Sequence, residues 1–297
     1  QSGTYPLITI APGVMTYTHP DSLVSTEWLA QRLDAPDLRI FDGTYYLPVQ
    51  NKNAHAEYLD RHIPGAVFFD IDDIADKDTD LPHMLPSPEK FSSKVRKLGL
   101  GDGNRIVIYD SQGMMSAARV WWTFRVFGHK DVAVLDGGLP KWLREGRPVE
   151  DRPPQPRERH FTARFNNFMV RDKEQIRANI SAKREQVVDA RAAGRFNGTD
   201  AEPWPGRRSG HIPGSYNVPY TTLLDPADQT FLPAPALAQR FKSAGVDLAK
   251  PIVTSCGSGV TAAVLSLALH LIGHPDVALY DGAWAEWGRP GDTPVEP

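Results

Sequence analysis

The chain has a single cysteine, Cys256, among its 297 residues, so no internal disulfide can brace the fold and stability must come from a hydrophobic core. It has no apolar run of about 18 residues, and so no segment that reads as a membrane-spanning helix. The first residues, QSGTYPLITIAPGV, lack the charged start and apolar run of a secretory signal. Together these absences predict an intracellular, cytoplasmic protein, or a mitochondrial one if a native N-terminal targeting peptide has been removed. An excess of one charge is also missing: the net charge is -3, which gives no general reason to expect a nucleic acid or a membrane as partner. What is present, 41% hydrophobic and 23% charged residues, is the balance of a globular protein long enough for two domains.

The chain repeats itself once. The turn His62-Ile-Pro-Gly returns as His211-Ile-Pro-Gly, and Phe41-Asp-Gly returns as Val188-Asp-Ala. The stretch from Phe127 to Gly138, ending in Asp136-Gly-Gly, returns from Ile272 to Ala283 as Asp281-Gly-Ala. Trp142 and Trp287 follow their Asp-Gly pairs at the same spacing. Each copy alternates short apolar strands with helices, the first helix of the chain spanning Thr26 to Leu33, which predicts a mostly parallel central sheet flanked by helices, the α/β class. Residues 144–165 are rich in Pro and Arg and poor in apolar periodicity. They predict an extended surface linker, with domains at 20–146 and 168–297 and the connection at 147–167. The recurrence of His62 and His211 argues for hydrogen bonds that fix a turn, and most of the seven tryptophans read as core.

Cys256 stands where the apolar run Pro251 to Ser255 meets a glycine-spaced turn and then an apolar helix from Thr261 to Leu271. A lone cysteine is more often a small buried hydrophobe than a nucleophile. This setting differs, because a strand, a turn and a helix start aim backbone N–H groups and the helix dipole at the sulfur. Such surroundings lower a thiol pKa from about 8.5 by a unit or more. Ligands of parallel sheets bind outside the carboxyl ends of the strands, where this cysteine falls. The sixth residue after it is Ala262, so the arginine that a cysteine phosphatase needs is absent. A cysteine protease stays open among nine histidines, whereas a turn of amides around one thiol suits an anionic persulfide that needs no cofactor or metal. The first copy carries Asp110 at the matching position, which cannot act as a sulfur nucleophile.

The tandem domains, the His-Ile-Pro-Gly turns and the loop Cys256-Gly-Ser-Gly-Val-Thr-Ala resemble the 3-mercaptopyruvate sulfurtransferase family of the rhodanese superfamily, from about Leu23 to Glu296. The resemblance implies two tandem rhodanese-like domains, the first non-catalytic. It further implies sulfur transfer from 3-mercaptopyruvate through a Cys256 persulfide to a thioredoxin-like dithiol, a small thiol or cyanide, releasing pyruvate, with no cofactor and no metal, by a monomer. Thiosulfate sulfurtransferases of the same fold carry basic residues just after the cysteine, whereas Gly257, Ser258 and Gly259 are neutral. The alternatives are therefore thiosulfate:cyanide transfer, and a persulfide carrier or redox sensor that does not turn over.

By the same resemblance, Asp72 orients His83, which moves a proton through Ser258, and Arg195 binds the substrate carboxylate. Gly257, Gly259, Val260 and Thr261 complete the substrate-binding loop. The family's second arginine falls at Trp204 here, leaving Arg191, Arg207 or Arg208 as candidates to replace it. Met115 lies where relatives can carry a tyrosine near the substrate.

Overall fold

The computed structural model describes residues 16–297; the N-terminal stretch that argued against a secretory signal lies outside them. Strands β1 (Leu23–Val24), β2 (Leu38–Asp42), β3 (Val67–Phe68), β4 (Arg105–Tyr109) and β5 (Val132–Leu135) form one sheet in the order β1-β5-β4-β2-β3. Strands β6 (Val170–Arg171), β7 (Gln186–Asp189), β8 (Tyr216–Asn217), β9 (Ile252–Ser255) and β10 (Val277–Tyr280) form a second in the order β6-β10-β9-β7-β8. The order is the same in both, and every strand pair is parallel. β5 and β9 are buried along their whole length, which is why they read as continuous apolar runs rather than alternating ones.

The two units meet through helices Ser116–Val126 and Ala262–Leu271, which pack against each other. The second of these is buried on nearly every face, because one side rests on its own sheet and another on the partner helix. One hydrophobic cluster runs through the contact, joining Phe41, Trp121 and Phe124 of the first unit to Leu265, Leu267 and Leu279 of the second. At about 1.5–3 kcal/mol for each large apolar side chain removed from water, this contact is part of the core rather than a docking of two finished domains. Trp142 and Trp287 anchor separate clusters on the outer faces of the two sheets. Among the described residues no helix is long and apolar enough to cross a membrane.

The repeated histidines fasten the ends of each unit. His62 Nδ1 bonds the Tyr58 carbonyl at 2.8 Å, and its backbone forms a bridge with Glu150. His211 Nδ1 bonds the Phe196 carbonyl at 2.8 Å, and its backbone pairs with Glu296.

Two details differ from expectation. The first helix stops at Ala30 instead of running to Leu33, because the chain must turn to enter β2 at Leu38. The connection is not simply a surface strap. Phe161 is fully buried in the first unit's core, and the N–H groups of Arg164 and Asn166 donate to the carbonyls of Phe127 and Val126. An aromatic residue at one point of a polar stretch is enough to pin it.

Candidate active site

Cys256 follows the last residue of β9, the strand between β7 and β10, and therefore lies at the carboxyl edge of the second sheet. It is 1% exposed. The turn after it is held by the short helix Ala283–Trp287: the N–H of Trp284 donates to the Cys256 carbonyl at 2.9 Å, and that of Ala285 to the Gly257 carbonyl at 2.8 Å. The Gly259 N–H donates to Cys256 Sγ at 3.1 Å. Several amides were expected at the sulfur, and one, that of Gly259, reaches it within hydrogen-bond distance. Gly259 has φ +88°, and a Cβ there would press on Arg119 Nη1 and the Asp281 carbonyl at 3.1 Å, so the position demands glycine. Val260 is buried, and Thr261 is the N-cap residue of the helix that follows.

The first unit contributes an oriented imidazole. Asp72, in the short helix Ile71–Ile74, accepts a 2.8 Å hydrogen bond from His83 Nδ1. Because a carboxylate can only accept, Nδ1 carries the hydrogen, and whenever the ring is neutral Nε2 holds the free lone pair. Partial burial raises the pKa of Asp72, but the hydrogen bond and charge of His83, with Lys77, outweigh it and hold the carboxyl below its ordinary range. The His83 ring packs on Tyr45 with centroids 4.4 Å apart, and Nε2 is buried without a hydrogen-bond partner. His83 also has φ +52°, a left-handed conformation that costs about 1–3 kcal/mol off glycine and is concentrated at functional sites. The structure thus joins Asp72 to His83. It shows no hydrogen bond from the His83 ring to Ser258, a buried residue whose hydroxyl bonds no described residue.

Arg119, which sequence reasoning passed over, links the two halves. It is 2% exposed, and its Nη2 donates to the His83 carbonyl at 2.6 Å while Nη1 donates to the Gly259 carbonyl at 3.1 Å. Nη1 also lies 2.8 Å from Asp281 Oδ1, a close ion pair rather than an aligned hydrogen bond, and the guanidinium covers the Trp122 ring. Asp281 Oδ2 accepts the Leu85 N–H at 2.8 Å. The signal for Arg119 was available: an arginine inside the apolar run Ala118-Arg-Val-Trp-Trp must find a buried partner.

Arg195 lies over the turn, so close to Gly257 that a Cβ there would collide with Nη2. Its Nη2 donates to Glu202 Oε2 at 2.7 Å and its Nε to Oε1 at 3.3 Å, leaving Nη1 without a partner among the described residues. The three arginines expected as substitutes are committed elsewhere. Arg191 is buried between Asp189, Glu202 and the Gly210 carbonyl. Arg207 donates to the carbonyls of Ala285 and Pro205, and Arg208 to those of Thr293 and Trp287. Arg191 and Arg208 are thereby tied down, and Arg207 is held by two of its donors. Trp204 instead brings its ring to the His83 ring, centroids 6.1 Å apart, across the seam between the units. Met115 is a buried core residue whose N–H donates to Asp110.

Asp110 follows β4 as Cys256 follows β9. Its carboxylate reaches into its turn and accepts from the N–H groups of Gln112, Met115 and Ala117 at 2.8–2.9 Å. Complete burial pushes its pKa up, against the pull of those donors. Among the described residues no group of three or more His, Cys, Asp or Glu is placed to hold a metal ion.

The Rhodanese-like domain family matches the chain twice, at residues 25–145 and 172–289. Human 3-mercaptopyruvate sulfurtransferase is 44% identical over 92% of this chain and 94% of its own length. Bovine thiosulfate sulfurtransferase is also 44% identical, over 90% of this chain and 91% of its own, so overall identity does not separate the two donors. The crystal structure of SseA from Escherichia coli, which describes the rhodanese fold and catalytic mechanism of 3-mercaptopyruvate sulfotransferases, superposes with a TM-score of 0.82 at 41% identity, covering 89% of this chain and 98% of that one. With two family matches, one on each sheet, and relatives alike over nearly their whole length, the chain belongs to the rhodanese family.

Proposed function

We propose that the chain is a sulfurtransferase that takes sulfur from 3-mercaptopyruvate onto Cys256 and passes it to a thiol. The Cys256 thiolate attacks the donor's sulfur, forming an S–S bond as the C–S bond breaks, and the bonding electrons leave as the pyruvate enolate. A proton then converts the enolate to pyruvate. A dithiol acceptor next takes the outer sulfur as hydrogen sulfide, becoming a disulfide and restoring the Cys256 thiol; a small thiol or cyanide is an alternative acceptor. The second unit, 168–297, is the catalytic one. The first, 20–146, carries Asp110 in place of the nucleophile and lends Asp72 and His83. Both parts of the site lie in one chain, so a cytoplasmic monomer suffices.

The observation that carries this reading is a single thiol at a strand's carboxyl end, bonded by an amide of a loop without charge. The outer sulfur of a persulfide would lie about 2 Å beyond Sγ. In the other repeat the matching turn does receive an anion: three N–H groups converge on the Asp110 carboxylate. The charge around the donor also argues for a monoanion. Glu202 offsets much of Arg195, leaving one Nη1, without a partner among the described residues, for a carboxylate. Thiosulfate carries two negative charges and finds less compensation here. Ser258, close to the sulfur in sequence, and His83 Nε2 are the groups we assign to proton transfer.

Pyruvate and sulfide release from 3-mercaptopyruvate with a dithiol, measured beside cyanide-dependent transfer from thiosulfate, tests the reading. We expect kcat/KM to favour 3-mercaptopyruvate at least about tenfold. Preference for thiosulfate would make the other donor the substrate, and a single modification of Cys256 without turnover would leave a sensor or carrier. Two variants probe the carboxylate site. Gly257→Ala should displace Arg195 and raise KM for 3-mercaptopyruvate about three- to tenfold with a smaller change in kcat; an unchanged KM would place Arg195 outside the binding site. Trp204→Arg adds a cation at the seam and should lower that KM about fivefold, the size of one exposed charge contact. A KM that does not fall would mean position 204 covers His83 without facing the donor.

A further inference from the structure

The repeat makes one asymmetry conspicuous. In both units the aspartate after the last strand reaches across the seam for a backbone N–H: Asp281 takes that of Leu85, and Asp136 that of Phe231. Only Asp281 also has a cation. Arg119 matches Val264 in the register of the repeat, and Asp136 forms no ion pair among the described residues. Burial pushes the Asp136 carboxyl up to about 7, the usual outcome for a buried acid without a cation. The buried charge pair therefore exists on the side of the seam that holds Cys256 and is missing from the side that holds Asp110.

Its donors go to two carbonyls that frame the site. One belongs to Gly259, whose own N–H is the donor to Cys256 Sγ. The other belongs to His83, which is held in a left-handed conformation 11 residues from the aspartate that orients its ring. A planar guanidinium fork can hold two carbonyls at a fixed separation, which a lysine ammonium on a flexible stem cannot do. We propose that Arg119, from the non-catalytic unit, is a positioning residue that holds the Gly259 amide against Cys256 Sγ and sets the distance from the Cys256 loop to His83. Asp281 anchors the guanidinium and takes no part in the chemistry. The inactive repeat thereby contributes to the sulfur's surroundings as well as supplying the imidazole.

The role in turnover rests on the sulfurtransferase reading, but the effect on the sulfur does not, so the test has one arm of each kind. In the first, Arg119→Lys and Arg119→Gln are alkylated with iodoacetamide, which reports on Cys256 alone because it is the chain's one cysteine. The rate at about pH 7, divided by that at about pH 10, should fall at least about threefold in both, since Lys cannot reproduce the fork. In the second arm, pyruvate release should show kcat reduced at least about tenfold with KM within about twofold. Arg119→Lys in a His83→Gln background should cost little further kcat, because the two act through one step. An unchanged alkylation ratio in Arg119→Lys overturns the proposal whatever the turnover shows. So does a loss of kcat that is equally large with and without His83, the mark of a general weakening of the fold. Absence of pyruvate release by the wild type would count against the sulfurtransferase reading alone, with the alkylation ratio still deciding Arg119.

Discussion

Cys256→Ser is expected to release no pyruvate from 3-mercaptopyruvate above background, a loss of at least about four orders of magnitude, while melting close to the wild-type temperature. A serine hydroxyl is essentially un-ionised at neutral pH and is a weak nucleophile unless a base removes its proton, so the S–S bond on which transfer depends cannot form. The fold should tolerate the change because the turn is held by backbone bonds, from Trp284 to the Cys256 carbonyl and from Ala285 to that of Gly257, which do not involve the sulfur. The lost contact is one N–H to sulfur bond, and a smaller hydroxyl can accept from the same Gly259 amide. Intact mass gives a second readout: wild type incubated with donor alone should gain one sulfur, and the variant none. Pyruvate release by the serine protein would end the assignment of Cys256 as the sulfur carrier.

The second large effect belongs to the first unit. His83→Gln should lower kcat about 10²- to 10⁴-fold, the range for removing a general acid or base, with little change in KM because no binding group is lost. Asp72→Asn should cost less, about tenfold, since it disturbs the tautomer and ring orientation without deleting the imidazole. Asp72 Oδ1 now accepts from Nδ1, and an asparagine that presents its NH₂ would favour the opposite tautomer. The pair should be non-additive, with Asp72→Asn nearly silent when His83 is already gone. A linkage follows from the same contact. The folded-state pKa of Asp72 lies below the ordinary carboxylate value, so the stability it contributes is present above that ordinary value and fades as the pH falls through the lowered one. The contribution is modest because the carboxylate is half-exposed. Equal kcat in wild type and His83→Gln would remove the proton-transfer role altogether.

Repetition made the fold legible. Matching the His-Ile-Pro-Gly turns and the Asp-Gly pairs was enough to anticipate two like parallel sheets, and the apolar run after Cys256 was enough to anticipate a helix, though not its packing against the other unit. The turn after Cys256 was legible for the same reason: strand, cysteine, glycine-spaced turn and helix are all local. Long-range contacts were harder to read. Arg119 touches Gly259, 140 residues away, and nothing near it in sequence indicates where its guanidinium goes. Glu202 was missed because a glutamate in a Pro-flanked loop looks solvated, whereas here it is buried under Arg191 and Arg195. Phe161 was lost in a stretch whose composition pointed the other way.

The hydrophobic cluster shared by helices Ser116–Val126 and Ala262–Leu271 bears on how small molecules come and go. Opening the seam as a hinge would part helices Ser116–Val126 and Ala262–Leu271 and take Trp121 off His270, at about 1.5–3 kcal/mol for each large apolar side chain exposed to water. Heat or denaturant should therefore melt both halves in one cooperative step, and amide exchange in the two central helices should track global unfolding. Donor and acceptor must reach the sulfur by movement at the rim, where the Pro203–Pro205 segment carries Trp204 over His83. Traffic through the site would then fall to one loop and one ring rather than to a hinge between the two lobes.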